Sequence, residues 1–281
     1  MMATEERRFG PHVGIAALES GEESVWARNH EILSVLATFP TILAAVVMIA
    51  LLAGADSALL VAMWKWTPFM AEGFVLNVGM SLFAIIVGTV GGVFLGMGQV
   101  SPSALTAAPS RIATQIFRNA PWLVLLFYCI FLVPFQVTVG GETFQIPNWL
   151  RASIGFTIPV IANFSEVVRG AVQSIPSGQW EAAKSLGYKW SKTMFSIVLP
   201  QCIKRMIPPW MNLYAVLLMA TPLASIVGVG EAMTNTRTAL QAEANSNLLL
   251  PMYAYLLTWF FFYCYPIARF SMYLESRFAV R

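Results

Sequence analysis

Long apolar stretches alternate with short polar segments along this chain. A helix needs roughly 20 apolar residues to cross the hydrocarbon core of a bilayer, so each stretch of that length is a candidate span. Residues 73–110 are uncharged but too long for one span, so we expect a loop from Ser101 to Pro109. The third span should end near Pro134, and the fourth carries Glu166 and Arg169. The pattern predicts six spans, at 32–55, 74–98, 119–141, 152–172, 206–230 and 244–268.

Composition agrees with a membrane protein. Of the 281 residues, 57% are hydrophobic and 11% are charged, whereas a soluble domain carries roughly 25% charged residues. So few charges cannot cover a water-facing surface, so most of the surface should face lipid. A net charge of +3 is too small to favour nucleic acid as a partner. The sequence therefore predicts an all-α, polytopic membrane protein.

The positions of the basic residues predict the orientation, since cytoplasmic segments are enriched in Lys and Arg. With six spans and a cytoplasmic N-terminus, 14 basic residues fall on the cytoplasmic side and 3 outside. A miscounted span would scatter them more evenly. We therefore expect both termini in the cytoplasm. The outer residues are Lys65, Arg151 and Arg237; the inner ones are Arg7, Arg8, Arg28, Arg111, Arg118, Arg169, Lys184, Lys189, Lys192, Lys204, Arg205, Arg269, Arg277 and Arg281.

The polar residues near the N-terminus predict a solvated cytoplasmic tail over residues 1–31. It does not resemble a secretory signal, whose apolar stretch starts early and stops after about 7–15 residues. Residues 32–62 are expected to hold an N-terminal membrane helix, and residues 73–275 the main domain. Cys129, Cys202 and Cys264 lie far apart, and the only histidines are His12 and His30, so we expect no metal site.

Three glycines in the second span share one helix face. Gly88, Gly92 and Gly96 follow one another at four-residue spacing. Small residues at this spacing let a second helix approach closely. The sequence leaves two partners open: another subunit, or another helix of the same bundle.

The longest loop between spans, residues 173–205, predicts two short helices joined at Gly187. Ser177 and Ser191 are candidate N-caps, Gly187 suits a left-handed helix stop, and Pro200 should limit the second helix. Trp180 and Leu186 offer apolar anchors for a partner. The chemistry alone fits a protein docking surface or a helix lying on the membrane surface.

This loop resembles the EAA loop of bacterial ABC importer permeases. Glu181, Ala182 and Ala183 are followed by Gly187 at the family's spacing, and the loop ends in Ile197, Leu199 and Pro200. The branch that imports polar amino acids is similar over about residues 73–275. Its patterns are matched by Phe117–Val124, Glu166–Gly170, Gly178–Gln179, Leu186–Gly187, Pro200–Gln201, Pro208–Pro209 and Leu223–Glu231.

Several positions depart from that branch. Residues 219–222 read Met-Ala-Thr-Pro where Lys-x-Thr-Ser is frequent, Asn163 replaces a Tyr, and Leu125 replaces a Gln. These changes put the identity of the solute in doubt. The branch also has five spans, so the helix at 32–55 is an addition. The candidate pathway or gating residues are Asn163, Glu166, Arg169, Met219, Thr221 and Glu231.

The resemblance implies a type I ABC importer permease that works by alternating access. Its partners would be a cytoplasmic ATPase dimer on the EAA loop, a second permease subunit and an extracytoplasmic solute-binding protein, in a bacterial inner membrane. The chain has no G-x-x-x-x-G-K-[ST] motif, so we expect ATP and Mg²⁺ only on the ATPase.

Two alternatives remain open. The charged pair Glu166 and Arg169, three residues apart, has an alternative role in locking the end of its helix. An ATPase-independent channel or carrier is the alternative function; a membrane enzyme ranks last, since no catalytic cluster is evident.

Overall fold

The computed structural model describes residues 57–278. The predicted span at 32–55 and the predicted tail at 1–31 lie outside these residues. The helices are α1 (Ser57–Gln99), α2 (Ala104–Asn119), α3 (Trp122–Leu132), α4 (Asn148–Gln173), α5 (Ser177–Ser185), α6 (Trp190–Thr193), α7 (Leu199–Ala220), α8 (Ala232–Glu243) and α9 (Leu249–Phe278). A hairpin pairs β1 (Gln136–Val139) with β2 (Glu142–Gln145), and shorter turns are a π-helix (Met194–Val198) and 3₁₀-helices (Thr221–Val227 and Ser246–Leu248).

The long helix α1 crosses the two positions at which the sequence places domain boundaries. The sequence separates an N-terminal helix ending at residue 62 from a domain beginning at residue 73, yet α1 passes through both positions without a break. Its 43 residues rise about 1.5 Å each, which gives about 65 Å, roughly twice the hydrocarbon thickness. The charged residues Lys65 and Glu72 therefore lie inside the helix instead of ending it.

The predicted third span, 119–141, is wrong in its bounds. The apolar helix α3 covers only residues 122–132, and α2 and α3 meet at an angle of 105°. Pro121 stands at this bend with extended backbone angles, since proline favours that conformation before a helix. Residues 104–119, expected in part as a loop, are helical because Ala104, Ala107 and Ala108 favour helix.

A β-hairpin follows α3 where the sequence predicts the end of a span. Gly140 and Gly141 both have positive φ, 63° and 91°, which a two-residue turn of a right-twisted hairpin needs. Val137 pairs with Phe144 and Thr138 with Thr143 across the strands. The helix does end close to Pro134, as predicted, but the polar sequence beyond it forms its own structure.

Helix α4 is the central helix of the bundle and packs along α1. The three glycines of α1 lie against it: a Cβ added to Gly88 would stand 2.4 Å from Val160, and one added to Gly92 would stand 2.9 Å from Phe164. The glycines therefore permit a close approach of two helices within this chain. The core around them contains Met80, Leu126, Phe156, Val168, Met194, Val198, Leu213 and Leu217.

The second half of the 173–205 loop differs from its prediction. Only α5 is a separate short helix, whereas α6, the π-turn and α7 run on as one helical stretch from Trp190 to Val227. Ser191 lies inside α6 and does not cap it. Pro200 occupies the start of α7 and does not limit a helix, since the π-turn before it adjusts the backbone where proline lacks an N–H.

The count of six spans is not confirmed. Within residues 57–278, three helical stretches are long and apolar enough to cross a membrane, and four if the bent pair α2–α3 counts as one. These stretches are Leu59–Gln99, Trp190–Val227 and Ser246–Arg277. The predicted fifth and sixth spans, 206–230 and 244–268, overlap most of the last two, but α7 begins at residue 199 and α9 ends at residue 278. The all-α class of the fold is confirmed.

Candidate functional site

Helix α5 is a short exposed helix that ends at the glycine the sequence predicts. Gly187 has a φ of 73°, in the left-handed region. The N–H of Gly187 donates to the carbonyl of Lys184 (2.9 Å), and the N–H of Tyr188 donates to the carbonyl of Ala183 (3.0 Å). This pair of bonds is a Schellman motif, which satisfies carbonyls that a helix end leaves free. Ser177 is the first helical residue and makes no capping hydrogen bond, so that predicted cap is wrong.

The faces of α5 differ in exposure. Ala183 is 2% exposed and lies towards the core, and Trp180 packs against the core cluster. Trp180 therefore holds the helix to its own bundle and does not serve as the free anchor that the sequence predicts. Glu181 and Ala182 are exposed, and Leu186 is 73% exposed. Gly178 has open space beyond it.

Hydrogen bonds fasten α5 to α7. The amide of Gln201 donates to Oε1 of Gln179 at 2.7 Å. Arg205 donates through Nη1 to the carbonyl and the hydroxyl of Ser174, at 2.7 and 2.6 Å. Ser174 follows α4 directly, so Arg205 also ties the connection between α4 and α5. The exposed face of α5 is thus held in one orientation relative to two long helices.

Glu166 and Arg169 form a bidentate ion pair near the end of α4. Arg169 donates to both carboxylate oxygens, with a closest distance of 2.6 Å, and to Gln173 at 3.0 Å. Arg118, at the end of α2, lies 3.6 Å from the same carboxylate. The geometry agrees with the alternative in which the pair locks a helix end, because Glu166 joins α2 to α4 there.

Glu231 lies in a buried polar cluster with Thr221 and Asn77. Its carboxylate is fully buried and accepts from the N–H of Met233 (3.0 Å) and the N–H of Thr234 (2.9 Å), which caps α8. The amide of Asn77 donates to both Glu231 (3.0 Å) and Thr221 (2.9 Å). A carboxylate with this many donors is stable in a low-dielectric interior. The cluster joins α1, the 3₁₀-helix Thr221–Val227 and α8.

The remaining candidate pathway residues stand apart from this cluster. Met219 is 55% exposed and lines an apolar cavity of about 540 Å³ between α7 and α9. Asn163 donates to the carbonyl of Pro159 within α4 (2.8 Å) and is half-buried. Leu125 is buried in α3. The structure therefore does not gather all predicted pathway residues into one site.

Two buried polar groups are not predicted from the sequence. Gln99 donates from one amide to Thr114 and Ser165, both at 2.9 Å, and so joins α1, α2 and α4. Arg151, which the charge pattern places on the outer side of the membrane, has a buried side chain. It is 1% exposed and donates to the carbonyl of Ile130 at 2.8 Å. A lone polar residue inside an apolar stretch is the available signal for such groups, and it marks Asn77 as well.

The part of the chain that the structure covers contains no cluster of metal-binding side chains. Between residues 57 and 278, no group of three His, Cys, Asp or Glu side chains could hold an ion. Cys129, Cys202 and Cys264 are buried free thiols. They pack as small apolar side chains.

Comparison with known proteins identifies relatives across most of the chain. The family described as the inner membrane component of binding-protein-dependent transport systems matches residues 88–268. A probable amino-acid ABC transporter permease of Bacillus subtilis is 33% identical over 60% of this chain and 73% of its own length. An inner membrane amino-acid ABC transporter permease of Escherichia coli is 31% identical over 66% of this chain, which covers half of that protein.

Two solved structures share the fold. The crystal structure of an amino acid ABC transporter with histidines superposes with a TM-score of 0.66 at 20% identity, over 77% of this chain and 97% of that one. An inward-facing methionine ABC transporter gives a TM-score of 0.57 at 16% identity, over 73% and 96% of the two chains. The fold is that of these ABC importer permeases, and the chain belongs to the family of inner membrane components of binding-protein-dependent transport systems.

Proposed function

We propose that this chain is the permease subunit of an importer for a polar amino acid or a related compound, and that α5 docks on a cytoplasmic ATPase. The relatives named above are amino-acid ABC transporter permeases, which supports the solute class. The ATPase would bind ATP and Mg²⁺, a second permease would complete the pathway, and an extracytoplasmic binding protein would deliver the solute. The membrane would be a bacterial inner membrane, with both termini in the cytoplasm.

The observation that carries this proposal is the exposed surface of α5. Leu186 stands free at the end of a helix that is itself fixed by Trp180, Gln179 and the Schellman turn at Gly187. Glu181 and Ala182 lie exposed on the same short helix. An exposed apolar side chain on a rigid support is the arrangement that gives a protein interface its anchor. The small Ala182 would let the partner approach the helix backbone closely.

Helix α4 supports the orientation that we propose. It packs along α1, which is long and apolar enough to cross a membrane, and its own 26 residues rise about 39 Å, so we place its two ends on opposite sides of the bilayer. The hairpin precedes it and α5 follows it, which puts the hairpin and α5 on opposite sides. Lys184, Lys189 and Lys192 accompany α5, whereas β1 and β2 contain no basic residue. The positive-inside rule therefore favours α5 as the cytoplasmic end.

The test compares two single substitutions of exposed apolar residues in the full complex. Leu186→Asp should abolish co-purification of the ATPase and ATP-driven uptake while leaving the permease in the membrane, because the residue makes no buried contact that folding needs. Phe144→Asp, on the hairpin at the other end of α4 and 61% exposed, is the matched control and should keep ATPase binding. Normal ATPase binding by the Leu186 variant would refute the docking proposal.

A second pair of variants tests the conformation of the turn. Gly187→Pro should abolish uptake, because proline fixes φ near −65° and lacks the N–H that donates to Lys184. Gly187→Asn is the control, since asparagine tolerates the left-handed region better than other residues, and it should keep most activity. Solute movement by the purified chain in liposomes without ATP would instead favour the ATPase-independent carrier.

A further inference from the structure

A second cavity, of about 690 Å³, opens between α1, the start of α4 and the start of α8. It lies apart from α5 and holds none of the pathway residues that the sequence predicts. Its walls combine one carboxylate with aromatic rings and an amide. The lining includes Phe69, Glu72, Gly79, Phe83, Trp149 and Asn235.

Glu72 is the only charged residue that lines this cavity, and its charge is not neutralised by the residues that the structure covers. No Lys or Arg of residues 57–278 lies within 4 Å of its carboxylate, and the cavity wall contains no basic side chain. The preceding basic residue of α1, Lys65, is paired with Glu243 at 2.7 Å. The cavity is therefore electrostatically suited to a cation.

The other walls suit an organic cation better than a metal ion. Phe69 and Phe83 from α1 and Trp149 from α4 contribute aromatic rings to the wall, and the faces of such rings attract ammonium groups. Asn235 donates its amide to the carbonyl of Phe69 at 2.7 Å, which leaves its side-chain oxygen as an acceptor. Gly79 has open space where a side chain would stand, so the cavity floor is free for a ligand.

The length of α1 places Glu72 at one surface of the membrane. Gln99 lies near the opposite end of the helix, close to the ion pairs of Arg118 and Arg169 with Glu166. At about 1.5 Å per residue, Glu72 and Gln99 are about 40 Å apart along α1, more than the roughly 30 Å of hydrocarbon. The carboxylate thus lies at the face opposite α5, where a solute would arrive from outside.

We propose that this cavity binds a small organic cation that carries no carboxylate, an amine or quaternary ammonium compound, with Glu72 as its counter-ion. A zwitterionic amino acid would need a basic partner for its carboxylate, and the part of the wall formed by residues 57–278 has none. The inference rests on the proposed import function and narrows its solute to the amine class. Phe69 and Trp149 would flank the cationic head beside Glu72, Asn235 would accept a hydrogen bond from an amine, and Phe83, about 21 Å from Phe69 along α1, would contact only the far end of a longer ligand.

The experiment measures binding of choline and of agmatine to the purified full-length chain in lipid nanodiscs by isothermal titration. Glutamate is the negative control ligand. Glu72→Gln keeps the size of the side chain and should weaken binding of agmatine about 10- to 100-fold, the range for loss of a hydrogen bond to a charged group. It should also weaken binding of choline, whose head group has no N–H but loses the opposite charge. Glu142→Gln, an exposed carboxylate on the hairpin, is the matched control and should bind like the unaltered chain.

A second variant tests the cavity itself. Gly79→Phe projects a ring into the open space and should abolish binding without disturbing the bundle, because nothing lies within 4 Å of the added Cβ. Failure of both cations to bind the unaltered chain would overturn the proposal, as would binding that Glu72→Gln leaves unchanged. Tighter binding of glutamate than of choline would overturn it too.

These outcomes are separable from the fate of the proposed function. Co-purification of the ATPase with the unaltered chain, and its loss in Leu186→Asp, reports on coupling and does not depend on the cavity. If the ATPase binds but choline and agmatine do not, the import function stands and the amine site is wrong. If the cations bind but the ATPase does not, the site stands and the coupling proposal is wrong.

Discussion

The close contact of α1 with α4 at Gly96 makes a quantitative prediction. A Cβ added there would stand 2.6 Å from Cβ of Val168 and 2.8 Å from the carbonyl oxygen of Ser165, where ordinary contact is 3.4–4 Å. The carbonyl belongs to the backbone of α4 and cannot rotate away. Gly96→Ala therefore forces the two helices apart by more than half an ångström at this contact.

Two opposing effects set the magnitude. Overpacking of a close-packed interior costs typically about 1–3 kcal/mol. Alanine favours a helix by about 1 kcal/mol over glycine, which offsets part of that cost. The expected net destabilisation of Gly96→Ala is thus up to about 2 kcal/mol. For a chain of this size, that corresponds to a decrease of several degrees in Tm.

The assay is thermal unfolding of the purified chain in detergent, followed by size-exclusion chromatography of the heated samples. The matched control is Gly170→Ala, in the last turns of α4, where nothing lies within 4 Å of an added Cβ. This variant keeps the helix-propensity gain without the clash, so its Tm should stay unchanged or rise. Equal Tm values for the two variants would refute the reasoning, since the steric term would then be absent.

Two further predictions concern polar contacts. Glu231→Ala removes the cap of α8 and leaves the Asn77 amide with one acceptor fewer, so the free energy of unfolding should fall by about 2 kcal/mol or more, with Glu231→Gln less affected. A thermal denaturation series that shows no difference from the unaltered chain would contradict this. Hydrogen bonds from Lys65 and then Trp66 lower the pKa of Glu243 below its ordinary value. A lowered pKa stabilises the folded chain above the unfolded pKa, about 4.3, and this contribution is lost as the pH falls through the folded pKa. Glu243→Gln should flatten the acid limb of a Tm-against-pH curve, and an unchanged limb would contradict the assignment.

The apolar pattern predicts which segments are membrane helices better than where they begin and end. Lipid demands apolar side chains, so hydrophobicity reports the span itself, but helix geometry does not stop at the membrane surface. Helix α1 therefore continues to Ser57 through Lys65 and Glu72. The bend at Pro121 and the hairpin at Gly140 arise from local backbone preferences inside or beside an apolar stretch, which hydropathy does not register.

The candidate sites also divide into features that a local sequence pattern predicts and features that depend on packing. The turn at Gly187 could be predicted because a left-handed backbone conformation favours glycine, and Gly187 has that conformation in the structure. The packing of the Trp180 side chain against the core and the burial of Arg151 depend on which helices pack together. No local sequence pattern determines that packing. The sequence does not mark Glu72 as a candidate site residue, because it lies at the border of an uncharged stretch. The cavity that it lines forms only when Trp149 and Asn235, which are distant in sequence, pack beside it.

Helix α4 joins the two sites that matter for the proposed function. Its first turn contributes Trp149 to the cavity beside Glu72, and its last turn leads through Ser174 into α5. The glycine contacts hold α4 rigidly against α1, which carries Glu72 itself. In the proposed importer, Arg205 would connect a displacement of α5 to α7, and α4 would connect it over about 39 Å to the cavity. Coupling between the ATPase and the proposed solute site would then need no flexible relay, because one continuous helix contacts both ends.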